Sequence, residues 1–175
     1  MERENIFYTS AAYSSLQDRR SVFNIPVEPY GTIHDYVPFY FTSLTPMLYA
    51  IKTGNLEGIK MSDLIILQST AQRIENDNKK YVFTDGHGIM ALSDFYNDLA
   101  DLGNIHWEAV KAKYWNDFPD GKRLRQAEFL VYESFEWHLI KRIGVYTQSM
   151  KTRVQSLMSG MKHKPNISIK RNWYF

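Results

Sequence analysis

Hydrophobic and polar positions change period several times along this chain, and the changes divide it into short alternating elements. Residues 10 to 20 have helical spacing, opened by a Ser cap at Ser10 and closing on Asp18-Arg19-Arg20. Pro26, Pro29 and Gly31 mark the stretch from Asn24 to Asp35 as a loop. Tyr36 to Phe41 is β-rich, and Pro38 confines it to a sheet edge or a bend. Thr45-Pro46 starts a helix that runs to about Thr53, where Gly54 stops it. Asp63 to Gln68 is almost continuously apolar and reads as a buried strand. Ser69 to Asn78 fits a helix and Tyr81 to Thr84 a short strand, followed by the Gly-rich turn Asp85-Gly86-His87-Gly88.

The spacing of Met90, Leu92, Phe95, Leu99 and Leu102 predicts a helix ended by Gly103, and Ile105 to Tyr114 a further one. A polar loop surrounds Pro119-Asp120-Gly121. Strands are expected over Glu128 to Tyr132, Arg142 to Tyr146 and Ile167 to Ile169, with a helix from Thr147 to Met158 between the last two. Strands this short and irregularly joined do not make a doubly wound sheet. The expected fold class is α+β, in one domain over residues 1–175.

The segment Arg125 to Tyr132 stands out within that pattern. It places the carboxylate Glu128 at the mouth of an apolar run, two residues after Gln126. Continued as a strand, it aims an amide and a carboxylate from one face. The alternative is an ordinary strand start whose polar residues face water.

Composition narrows the chemistry. At 44% hydrophobic and 23% charged, the 175 residues make a folded core, not a disordered chain. With no cysteine, disulfides, thiolate nucleophiles and Cys-built zinc sites are excluded. His34, His87, His106, His138 and His163 show no metal-ligand spacing, and no metal is expected. Neither a phosphate loop ending in Lys-Ser/Thr nor a GxGxxG turn is present. No apolar run reaches membrane-spanning length, and the expected location is the cytoplasm.

Net charge is only +2, but the cations are clustered. Lys122, Arg123 and Arg125, with Lys111 and Lys113 before them, form a candidate phosphate-binding group, or else a solvated surface. Arg19 and Arg20 offer bidentate contacts to an anionic ligand, or simply favour a helix C-terminus. His87 lies in a loop of the kind that positions substrate, or in a plain turn capped by Asp85. His34 and Asp35 either touch ligand or brace the loop before the strand.

Several segments, taken in order, resemble one family. They are Tyr8-Thr-Ser with Asp18-Arg-Arg20, His34-Asp-Tyr-Val-Pro-Phe-Tyr-Phe41, Pro46-Met-Leu-Tyr49, Phe83-Thr-Asp-Gly-His87, Asp94-Phe-Tyr-Asn-Asp98, Tyr114-Trp115 and Arg125-Gln-Ala-Glu-Phe-Leu-Val131. Together they are similar to DarT, the DNA ADP-ribosyltransferase toxins of bacterial toxin–antitoxin systems. The resemblance implies an ADP-ribosyltransferase fold with a split mixed β-sheet flanked by helices. It implies NAD as co-substrate, no metal, and transfer of ADP-ribose to a base of single-stranded DNA, typically a thymine ring nitrogen.

The implied partner is a DarG antitoxin, whose macrodomain removes the mark. By motif, Glu128 and Arg19 are the catalytic pair, and His87 lies in the loop facing the target base. Gln126, Tyr8, Thr9 and Ser10 are assigned to substrate, and Lys122, Arg123 and Arg125 to DNA phosphates. The family usually begins with a further NAD-contacting segment, whereas here Met1-Glu-Arg-Glu-Asn5 leads directly towards Tyr8. The competing expectations are an inactive shortened relative that binds nucleic acid or its antitoxin, and a transferase acting on RNA or protein.

Overall fold

In the computed structural model, residues 14–55 and 58–175 are described. Helix α1 (Ser14–Val22) leads into the Pro-rich loop and then strand β1 (Tyr36–Tyr40). Helix α2 (Pro46–Lys52) has Pro46 in its first turn and Thr45 as its cap, its hydroxyl accepting from the Leu48 amide. Strand β2 (Ile65–Gln68) and helix α3 (Ala71–Asn76) precede β3 (Tyr81–Thr84) and the two-residue β4 (Phe95–Tyr96). Helices α4 (Trp107–Lys111) and α5 (Gly121–Leu124) are single turns ahead of β5 (Glu128–Tyr132). Strand β6 (Arg142–Val145), helix α6 (Gln148–Leu157) and strand β7 (Asn166–Ile169) follow.

The strands form two sheets, as the split-sheet expectation requires. One is antiparallel, in the order β1-β5-β3-β4; the other is mixed, in the order β2-β6-β7, with β6 and β7 parallel. Strand β5 is interior, paired with β1 from Tyr132↔Tyr36 to Glu128↔Tyr40, and with β3 through Phe129↔Phe83. Pro38 lies on β1 at the sheet's edge, where its missing N–H costs no ladder bond.

Alternation along β5 sorts its side chains. Phe129 and Val131 enter a core with Phe83, Ile74, Val110 and Leu139. Leu130 enters the other, with Ile25, Ile33, Val82 and Ile89, against which Leu16 and Phe23 from the α1 region pack. Period-two geometry therefore puts Glu128 on the face that α1 covers. Phe135 packs on both the first core and the third, under α6, and joins the two sheets.

Three sequence expectations fail. The helix over Met90 to Leu102 is instead a turn, strand β4 and a 3-10 helix over Leu99–Asn104. Asp98 caps onto the Ala100 amide, and Tyr96 stacks on Phe83 with ring centroids 5.3 Å apart, so the apolar spacing serves a sheet edge and a cap. Strand β2 is not buried: it is an edge strand on which Ile65 and Leu67 are exposed. Gln126 sits in the turn after α5, before β5 starts, so it does not share a strand face with Glu128.

Candidate active site

Strand β5 begins inside the molecule, and Glu128 is 1% exposed. A lone carboxylate there would be strongly disfavoured. It is paired with Arg20 from α1, whose Nη1 donates to Oε2 at 3.0 Å and Oε1 at 3.1 Å. The Gly88 amide makes a long approach to Oε1, 3.4 Å. Removing one partner from a buried pair of this kind costs about 3–5 kcal/mol, because the other is left uncompensated. Arg20 can reach because α1 lies over the face of β5 on which Glu128 projects. Its neighbour Arg19 points outward and lines a shallow surface depression with Val22, Phe23 and Ile89.

The flanking strands complete the wall. On β3, the Thr84 hydroxyl accepts from the Glu128 amide at 3.0 Å and donates to the Gly86 carbonyl at 2.6 Å, linking the strand start to the turn after β3. Tyr40 of β1 stands opposite Glu128 in register. Burial, and then the Glu128 charge, push its phenol up to about 12, so it is a neutral O–H at any physiological pH.

His87 closes the site from the turn after β3. Its Nδ1 is 3.7 Å from Glu128 Oε1, too long for a hydrogen bond, and is buried with no partner among the described residues. Burial lowers the imidazole pKa. Glu128 pulls it back up, while Arg20 and Arg19 push it further down. The net direction keeps His87 neutral, with one ring nitrogen free to accept. Gly88 passes close to the site: a Cβ there would lie in ordinary contact with Ile33, Thr84 and Glu128 Oε1, at 3.4, 3.7 and 3.8 Å.

Together, one buried carboxylate, one guanidinium, one neutral imidazole and one phenol converge on the first residue of an interior strand. A carboxylate offers about four lone-pair directions, and Arg20 and Gly88 take up only part of them. Such a site holds a hydroxyl and stabilises a developing cation. Among the described residues no group of three metal-ligating side chains occurs.

The structure sets His87 beside Glu128, and the guanidinium on the carboxylate is that of Arg20, not of Arg19, which the resemblance pairs with Glu128. It separates the other assignments. Gln126 donates its amide to the Lys122 carbonyl at 3.0 Å and closes α5. Arg125, read as a phosphate contact, is 1% exposed and donates to the carbonyls of Leu44, Ala109 and Ala112. It ties the loop before α2 to α4 and cannot reach DNA. Arg123 is likewise engaged, with Asp85, Asp120 and Ser93. Of the proposed phosphate trio, Lys122 alone is exposed. Tyr8, Thr9 and Ser10 lie outside the described residues.

Asp35 accepts from the Thr32 amide at 2.7 Å and from its hydroxyl, and His34 bonds Gln17 at 2.8 Å, so both brace their loop. Thr84 and Tyr40 went unread as site residues. Their only signal was the period-two spacing that puts them on the strand face of Glu128.

Comparison with known proteins agrees with this geometry. The DarT family, described as ssDNA thymidine ADP-ribosyltransferase, matches residues 1–175. A DNA ADP-ribosyl transferase of Thermus sp. (strain 2.9) is 40% identical over 169 residues, covering 95% of this chain and 81% of its own. The solved structure of Thermus sp. 2.9 DarT in complex with ADP-ribosylated ssDNA superposes with TM-score 0.92 at 38% identity, covering 95% of this chain and 81% of that one. The same protein in complex with NAD+ superposes with TM-score 0.86 at 38% identity, over 90% and 81%. With a buried Glu128–Arg20 pair at the start of an interior strand and a family match over its whole length, this chain belongs to the DarT family of ADP-ribosyltransferases.

Proposed function

We propose that this chain transfers ADP-ribose from NAD to a thymine ring nitrogen in single-stranded DNA, releasing nicotinamide, with Glu128 as its central catalytic group. The observation that carries this reading is the buried, oriented Glu128 carboxylate beside a neutral His87, in a chain whose 38%-identical structural neighbour was solved with NAD+ and with ADP-ribosylated ssDNA.

Two bonds change. The bond between the ribose anomeric carbon and the nicotinamide nitrogen breaks, and its electron pair leaves with nicotinamide, which needs no proton because it departs neutral. Positive charge gathers on the ribose, as in glycoside cleavage, and a carboxylate a few ångströms away stabilises it. The thymine ring nitrogen then bonds to that carbon and loses its proton. Glu128 holds a ribose hydroxyl and accepts the proton, while Arg19 at the rim steadies charge developing on the base. Arg20 holds the Glu128 carboxyl group fixed in direction. His87 hydrogen-bonds or stacks on the presented base. Lys122 follows the phosphate backbone, with long-range attraction as its contribution.

Glu128→Gln keeps the shape of the side chain and removes its charge. The variant is expected to lose transfer to a labelled single-stranded oligonucleotide, by about a thousandfold or more, while still binding NAD. Near-normal transfer by that variant would overturn the assignment. Label found on RNA or protein, with DNA unmarked, would redirect the substrate.

The same reading makes the chain the toxin of a bacterial toxin–antitoxin pair acting in the cytoplasm, with a DarG-type macrodomain protein as the partner that reverses the mark. Family membership supports this. Growth arrest on expression, relieved by such a macrodomain, is the expected result.

A further inference from the structure

We propose that Arg123 is a positioning residue for the reaction, acting through the loop of residues 85–94 to hold His87 against Glu128; this rests on the functional reading above. Arg123 belongs to a basic run that suggests nucleic acid, yet its side chain is only 11% exposed and turned inward. Its Nη1 donates to Asp85 Oδ1 at 3.2 Å and to Ser93 Oγ at 3.1 Å, and its Nε donates to Asp120. Asp85 and Ser93 lie near the two ends of the loop that carries His87, so one guanidinium fastens both ends. A lysine does not reproduce this, because its one rotatable ammonium cannot hold Asp85 and Ser93 in fixed directions while a second nitrogen stays on Asp120, as Nη1 and Nε of the planar fork do.

The loop is closed around that group by the backbone of His87 itself. The His87 amide donates to the Arg123 carbonyl at 3.1 Å, and the His87 carbonyl accepts from Ser93 Oγ at 2.8 Å. The same Ser93 oxygen accepts from Arg123, so a continuous chain runs from the guanidinium through Ser93 to His87. Asp85 Oδ1 also accepts from the Asp94 amide at 2.9 Å, pinning the loop's exit.

Gly86 lies flat on the arginine. A Cβ there would come within 2.3 Å of Nη1 and 2.9 Å of Cγ, so any side chain would displace the clamp. The His87 amide thus meets the Arg123 carbonyl, and the His87 carbonyl takes Ser93 Oγ together with the Met90 amide, while the ring Nδ1 has no partner among the described residues. The imidazole gains its direction from the backbone beneath it, not from a bond to its ring.

The decisive experiment combines a double-mutant cycle with amide hydrogen exchange. In Arg123→Ala, transfer to single-stranded DNA is expected to fall by about tenfold to a hundredfold, as for an ångström-scale misplacement, with the KM for NAD little changed. Added to His87→Ala, it should cost almost nothing further, because its effect passes through His87. Amides of residues 86–88 should exchange faster in Arg123→Ala while those of β5 stay protected. Arg123→Lys should remain impaired, and Ser93→Ala, a milder change, should lie between.

Losses that multiply in the double variant, or an Arg123→Ala loop as protected as the parent's, would overturn the proposal. The exchange measurement needs no activity. A parent protein that does not modify DNA would count against the functional reading, while loop protection still tested the clamp.

Discussion

Arg19-Arg20 at the end of α1 and Lys122-Arg123-Leu124-Arg125 across α5 look alike in sequence, as two short basic runs, each after a turn of helix. The fold treats them differently. In the first, one guanidinium is buried on Glu128 and its neighbour faces outward at the rim. In the second, Arg125 goes into a cage of three carbonyls, Arg123 onto two aspartates and a serine, and only Lys122 stays in solvent. What decides the fate of each cation is the set of acceptors that topology brings to it. Charge alone says that a partner is needed, and never which.

The comparison is broken most forcefully at Arg20. Arg20→Met is expected to destabilise the protein by about 3–5 kcal/mol, since Glu128 is left buried and unpaired. Adding Glu128→Gln should recover part of that loss. Thermal denaturation of the single and double variants measures it, and an additive loss would show that the pair is not coupled.

Arg125→Met comes next. Three backbone carbonyls lose a charged donor, and at least one is deeply buried; about 3 kcal/mol is expected, a midpoint lower by roughly 6–12 °C. Its salt dependence of DNA binding should match the parent's, which separates it from Lys122→Gln. That change should leave the midpoint within about 0.5 kcal/mol of the parent and reduce the slope of log affinity against log salt by about one contact's worth.

The smallest effect is on a titration. His87 has its pKa lowered chiefly by burial, so its imidazole resonances should move below the ordinary pH range of about 6.5. Glu128 raises that pKa and Arg19 lowers it, so Glu128→Gln should shift the titration further down and Arg19→Gln should shift it up. An unmoved titration in both variants would mean that neither charge is felt at the ring. The sign for stability follows: the unfolded chain binds this proton more readily than the folded one. His87 therefore costs nothing well above pH 6.5 and destabilises progressively as pH falls below it.

Much of the fold could be read from residues whose meaning is local. Thr45-Pro46 and Thr147 carry their own caps, and α2 and α6 start where those residues say they must. Tyr81 to Thr84 and Glu128 to Tyr132 are strands over the expected residues, because β-branched and aromatic side chains suit a pleated, buried surface. The segment from Met90 to Leu102 was misread for a physical reason. Its apolar spacing is shared by one helix and by a strand followed by a cap, and only the presence of β3, with Phe83 ready to stack on Tyr96, selects the second. Strand β2 was taken as buried because its run is apolar, yet burial depends on what lies alongside, and β2 ends its sheet.

The site divides the same way. The assignment of Glu128 and His87 rests on the family resemblance, because the local pattern alone fits an ordinary strand start and a capped turn equally well. Adjacent arginines differ by about 100° around a helix, so which of Arg19 and Arg20 meets Glu128 was settled by how α1 lies on the sheet. The basic run predicts phosphate contacts for Arg123 and Arg125 because, apart from Asp120, their acceptors are remote in sequence; Asp85, Ser93, Leu44 and Ala109 are all supplied by chain crossings.

By itself, then, the sequence determined the elements that carry their own caps and turns, the absence of thiol chemistry, and the run of motifs whose family resemblance singles out Glu128. Only the tertiary structure decided which guanidinium neutralises that acid and which cations remain for a ligand. Ion pairs and hydrogen bonds act over a few ångströms, and in this chain the groups they join lie as far as 110 residues apart.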